Sequence, residues 1–227
     1  MKKFLCAIMA AAVVFSVFAA VKTRISYTDN LSPLPSSPDT LFHDASSIRI
    51  ADESIQELFA SDAVVKAVAV SDPILEYLSV KTTLQVITSY QGSLKEGALF
   101  DFYQDAMFAA NGMLGADTPQ YRKFSPFNIM QKGKEYIVFA ANKNMHPAYT
   151  AQLGREVYKY GNPMLGLSYF ESSMTNPKIF SKADMENGKL TYFDVRDYEF
   201  VCYSKEQRQQ INDFKRDILA RMEREFT

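Results

Sequence analysis

The chain predicts a mainly β fold with helical elements, a small five-stranded antiparallel barrel packed by a C-terminal amphipathic helix. Three stretches carry that expectation. Residues 81–103, KTTLQVITSYQGSLKEGALFDFY, are two β-branched and aromatic runs joined by a polar connection with Gly92 and Gly97 near its ends, the pattern of an antiparallel pair. Residues 135–141, EYIVFAA, follow the turn Gln131-Lys132-Gly133-Lys134 as an apolar run of strand length. Residues 205–226 put Ile211, Phe214, Ile218, Leu219 and Met222 at helical spacing along one face, with alternating charges on the other.

In chain order, residues 1–21 stand apart. Lys2 and Lys3 precede an uncharged run of eighteen residues from Phe4 to Val21, and Lys22 and Arg24 close it. As a helix that run is about 27 Å long, near the thickness of a bilayer core. Two readings fit: a secretory signal cleaved after a small-x-small site such as Val17-Phe18-Ala19, or an uncleaved membrane anchor. Both export the remainder. Residues 22–51, with Pro33, Pro35 and Pro38 among serines, read as a Pro/Ser-rich tether. Residues 52–227 then form the barrel domain.

Within that domain, residues 51–60 read as a short helix with Ile55, Leu58 and Phe59 on one stripe. Residues 64–70, VVKAVAV, are a first strand with Val65, Ala67 and Ala69 inward, and small inward residues suit a tightly curved barrel. The central pair supplies strands 81–91 and 98–104. In the second, Ala98, Phe100 and Phe102 face the core and Leu99, Asp101 and Tyr103 face outward. Residues 105–131 lose periodicity, and residues 142–190 read as an irregular insertion with a helical turn or two at 148–160. Residues 191–204 return to strand character and supply the fifth strand before the terminal helix, for which Ser204 is the N-cap.

Taken together, 61–70 (SDAVVKAVAV), 86–93 (VITSYQGS) and 132–139 (KGKEYIVF) resemble exported proteins of unknown function from Gram-positive bacteria. More distantly they are similar to the inhibitory, netrin-like domain of the tissue inhibitors of metalloproteinases, and so is 203–208 (YSKEQR), where the last strand enters the helix. The resemblance covers roughly residues 52–141 and 192–226, and implies an OB-like barrel. It does not carry the inhibitory mechanism. Those inhibitors chelate zinc through an N-terminal cysteine, and before Val64 this chain has only Cys6, inside the apolar leader.

Chemistry is sparse. With 25 basic and 26 acidic residues the net charge is -1, without the basic footprint of a nucleic-acid binder. The two histidines, His43 and His146, share no metal-ligand spacing, and no Cys-x-x-Cys is present, so no metal and no cofactor is expected. Cys202, in a strand-like run, reads as a buried thiol. No serine motif announces a nucleophile, and the pair Asp101 and Asp105 reads as solvated surface, so no catalytic residue is assigned. A binding surface remains. OB-type barrels bind ligands on the face of strands two and three, which nominates Tyr90, Leu99, Asp101 and Tyr103. Tyr158, Tyr160, Tyr169 and Phe170 either cover that face, extend it or belong to the core. The expected function is a non-catalytic, exported module binding an extracellular protein, peptide or glycan, with membrane attachment if the leader is uncleaved. The alternative is an extracytoplasmic hydrolase with an unannounced serine or carboxylate site.

Overall fold

The computed structural model describes residues 15–16, 31–36, 38–45, 52–76, 78–109, 118–142, 154–160 and 168–226. The leader expected at 1–21 lies outside the described residues except for Phe15 and Ser16. The elements are β1 (Leu31–Pro33), β2 (Leu41–Asp44), α1 (Asp52–Phe59), β3 (Ala63–Ala69), β4 (Ile74–Glu76), β5 (Ser79–Gln91), β6 (Leu99–Ala109), β7 (Gln120–Lys123), β8 (Glu135–Asn142), β9 (Glu156–Tyr160), β10 (Tyr169–Glu171), α2 (Lys182–Glu186), α3 (Tyr192–Val195) and α4 (Lys205–Phe226). The chain is mainly β, with a long helix at its C-terminal end.

Five strands, β3, β5, β6, β8 and β9, each pair with two others of the same five. β3 runs antiparallel to both β5 and β8. β5 runs antiparallel to β6, β6 parallel to β9, and β9 antiparallel to β8. The pairings therefore return to their starting strand. β4 and β1 extend from β5, β7 and β2 extend from β6, and β10 adds to β8.

The side-chain pattern explains this arrangement. Val65, Ala67 and Ala69 of β3 are buried as expected, and Phe100 and Phe102 of β6 join them in the main core with Val138 and Phe139 of β8. Ile211, Phe214, Ile218 and Met222 of α4 belong to the same core, as do Leu58 and Phe59 of α1. Burying side chains of this size contributes about 1.5–3 kcal/mol each before ordering costs. Ser204 caps α4, its Oγ accepting from Gln207 N at 3.0 Å, while Gln207 Oε1 accepts from Tyr203 N at 2.7 Å. A second apolar cluster stacks Phe42, Phe108, Tyr121 and Tyr192, with Phe108 and Tyr121 centroids 5.0 Å apart.

Several expectations are corrected. The fifth member of the ring is β9, from inside the expected insertion, and not residues 191–204. EVYKY has strand composition but is too short to stand out alone; partners on both sides hold it extended. Residues 192–195 are instead the helix α3, because Asp194 Oδ2 accepts from Thr191 N and from Thr191 Oγ1, both at 2.8 Å, which satisfies the N-cap backbone donor as a capping-box acid does. Residues 198–204 contribute single bridges only, Phe127 to Phe200 and Ile179 to Cys202. The ring is also not wholly antiparallel, since β6 and β9 are parallel. The expected tether at 22–51 contains β1 and β2, both paired, and the aperiodic 105–131 contains the end of β6 and all of β7.

Candidate functional site

The outer face of β5 and β6 was expected to be open, and most of it is not. Register sets Lys81 opposite Tyr103, Thr83 opposite Asp101 and Gln85 opposite Leu99. Asp101 is fully buried and Tyr103 nearly so, while Leu99 is 45% exposed. Asp101 Oδ1 accepts from Thr83 Oγ1 at 2.7 Å and lies 3.0 Å from Arg155 Nε. Lys81 Nζ stands 4.0 Å from Asp101 Oδ2 and 2.9 Å from Glu76 Oε2, and the Tyr103 hydroxyl donates to Glu76 Oε2. The charges therefore alternate along a row, Glu76, Lys81, Asp101, Arg155. A buried ion without such neighbours would cost several kcal/mol, so the row is what lets Asp101 and Lys81 be buried on a strand face.

At the Arg155 end the row opens into a cleft of about 560 Å³, lined by Ser93, Leu94, Lys95, Ala98, Leu99, Gly154, Arg155 and Glu156. The β5–β6 connection forms one wall and the start of β9 the other. Gly154, at φ +67°, makes the turn into β9, in a region where a side chain would strain the backbone. Tyr158, which follows on β9, donates to Glu156 Oε2 at 2.5 Å, and burial together with that carboxylate pushes its phenol up to about 12.

Of the four nominated residues, Leu99 lines the cleft and Asp101 lies beneath it, ion-paired with Arg155. Tyr103 belongs to the charged row. Tyr90 is elsewhere: its ring packs 5.5 Å from Phe226, which stacks 6.0 Å from Phe59, so it holds the end of α4. Tyr158, Tyr169 and Phe170 are buried in the core. Lys81, Lys95 and Arg155 were not singled out from the sequence. Lys81 had a signal, alternating with Thr83 on a face shared with Asp101; Arg155 had none, because β9 was not recognised.

Two further buried charge clusters lie outside the cleft. Lys215 of α4 is fully buried, with Nζ donating to Glu199 Oε1 and Oε2 at 2.7 and 2.8 Å and to the Ser173 carbonyl at 2.7 Å. The charged face of the terminal helix therefore includes one member that is fully buried. Lys123 is likewise buried, donating to the Ser125 and Pro126 carbonyls, both at 2.9 Å, with Asp44 Oδ1 at 3.6 Å. Nearby, Asp105 is buried, against the expectation of solvated surface, and neither of its oxygens makes a well-formed hydrogen bond among the described residues. Burial raises its carboxyl to about 7, tempered by its own backbone N–H, by Lys123 and by Ser125. A second, larger opening of about 800 Å³ adjoins Asp44 and Tyr203, between α2 and the start of α4. Cys202 is a buried free thiol, held up by burial.

Among the described residues no group of three or more His, Cys, Asp or Glu side chains has the arrangement to hold a metal ion, and no helix is long and apolar enough to cross a membrane. Compared with known proteins, the chain matches no protein-family model and no curated protein.

Proposed function

We propose that this chain is an exported, non-catalytic binding module built on an OB-type barrel, and that it takes a protein, peptide or glycan on the β5–β6–β9 surface beside Leu99. The barrel reading is supported by pairing order. Numbered along the chain, the five ring strands neighbour one another as 1-2-3-5-4-1, with the third and fifth parallel, the order an OB barrel has, and such barrels bind on the face of their second and third strands. The export reading is supported by the basic start and apolar run of residues 1–21.

The observation that carries the binding site is the contrast along one strand face. Asp101 and Tyr103 are sealed by ion pairs and a hydrogen bond, whereas Leu99, two residues before Asp101, is left exposed at the mouth of a cleft. An exposed leucine among ordered charges is a natural contact for a partner's apolar group. The hydrolase alternative draws less support. The buried Lys123 donates to carbonyls rather than to the Ser125 hydroxyl, and Ser125 Oγ accepts from Phe127 N at 2.9 Å. Lysine and serine there hold the backbone of 125–127.

The test has two arms. Fractionation of cells producing the tagged chain, followed by intact mass, should find it outside the cytosol, either shortened near residue 19 or whole in the membrane; a cytosolic full-length chain sinks the export reading. Peptide and glycan arrays probed with the labelled chain should give a set of ligands that Leu99→Asp loses while its melting temperature is unchanged. Identical array patterns for the two chains would remove Leu99 from any binding role.

A further inference from the structure

The arginine at the cleft already has a buried counterion before any ligand arrives. Arg155 Nε lies 3.0 Å from Asp101 Oδ1, and Asp101 is itself immobilised by full burial and by the Thr83 hydroxyl at 2.7 Å. Among the described residues, Asp101 is the one group that pairs with this guanidinium, and the Arg155 side chain keeps 35% of its surface exposed. A guanidinium presents five N–H donors in a planar fork. With Nε beside Asp101, neither Nη nitrogen meets an acceptor among the described residues, so the fork can serve one bound in the cleft that Arg155 lines. Lys95 adds a second cation to the same lining, and Leu94, Ala98 and Leu99 give it an apolar wall. The opposing charge is Glu156, whose carboxylate accepts the Tyr158 hydroxyl.

Resting on the binding reading above, we propose that the cleft beside Leu99 recognises a carboxylate carried next to an apolar side chain by a peptide, with the Arg155 fork taking the carboxylate and Leu99 the side chain. Forked N–H···O⁻ pairs are the strong, orientation-specific form of carboxylate recognition, and an arginine ordered in the free protein loses little further freedom on binding. Asp101 is then a positioning residue: it acts on the ligand only through Arg155. The size, about 560 Å³, is within the range of small-ligand clefts.

The experiment uses the isotope-labelled chain and three probes: N-acetyl-leucyl-leucine as the free acid, the same dipeptide as its C-terminal amide, and galacturonic acid. The free acid should shift the amide signals of Ala98, Leu99 and Gly154 and bind about tenfold tighter than the amide, as expected for a charge-assisted pair against a neutral one. Arg155→Gln should abolish that preference. Arg155→Lys, which keeps the charge and loses the fork, should lose most of it while melting close to the parent, whereas Arg155→Gln should melt lower because Asp101 loses a countercharge; the lysine variant therefore carries the test. Acid and amide binding alike at Leu99 would overturn the carboxylate inference and leave the binding surface standing. Shifts from galacturonic acid alone would overturn it in favour of a sugar. No shift of these signals by any probe would overturn the inference and take the cleft away from the binding reading as well.

Discussion

Two lysines in this protein are buried to the same degree and live in different circumstances. Lys215 meets three acceptors at 2.7–2.8 Å, two of them the oxygens of one carboxylate. Glu199 is in turn saturated: its Oε1 also accepts from Glu171 N at 2.9 Å, and its Oε2 from the Thr175 hydroxyl. Lys123 meets two carbonyls and, at longer range, Asp44, and the carboxylate of Asp105 is left over beside it. Burial alone therefore does not make a buried charge stable or unstable. What decides is whether every lone pair and proton around it is used. The first cluster ties α4 to the segment 171–175; the second leaves a group that can titrate.

Removing one half of the saturated pair should have the largest effect. Lys215→Met leaves Glu199 buried without its cation, and should destabilise the fold by about 3–5 kcal/mol, measured by denaturant unfolding. Lys215→Met combined with Glu199→Leu should recover much of that loss. If the single variant unfolds within ~1 kcal/mol of the parent, the pair behaves as a surface bridge and the contrast between the two clusters fails.

The unsaturated cluster should respond in the opposite direction and with pH. The Asp105 carboxyl is raised from 3.8 to about 7 in the folded chain, so the native state holds a proton that the unfolded chain has released. Stability contributed by this group is fully present below pH 3.8, falls as pH rises through the interval, and is gone above about 7. Spread over about three pH units, the loss is at most ~4 kcal/mol. Asp105→Asn should therefore leave stability unchanged near pH 3.5 and increase it at pH 8, by up to about that amount. A variant destabilised equally at both pH values would show that the carboxylate has a partner in solution. The smallest effect separates direct from supporting contacts. Thr175→Val removes one hydrogen bond to Glu199 and leaves Lys215 in place, so a loss of about 1 kcal/mol is expected; a loss as large as that of Lys215→Met would make the threonine an equal member of the pair.

How much of this was legible in the sequence follows from where the information sits. β3, β5 and α4 announce themselves because their core side chains repeat at the period of the element over seven or more residues, and β8 because it is an unbroken apolar run behind a glycine turn. β9 has five residues and is held between β8, which precedes it, and β6, more than fifty positions away, so its own five residues do not contain its cause. α3 did carry a local signal, Thr191 followed by Asp194, which the β-like composition of its surroundings concealed. On β6, alternation correctly divided Phe100 and Phe102 from Leu99, Asp101 and Tyr103. It failed on exposure, because an outward-facing charge can be buried when the neighbouring strands bring countercharges. Arg155 and Glu76, which do that for Asp101 and Lys81, come from separate parts of the chain.

The parallel seam between β6 and β9 has one further effect. Asp101 and Val157 are neighbours across it although 56 positions separate them, so the entropy of joining those segments must be met before their contacts form. The two walls of the cleft belong to opposite sides of this seam. Until the seam zips, the pocket has only one half. A molecule that fits it would accordingly act as a clasp across that seam, raising the melting point in proportion to the logarithm of concentration.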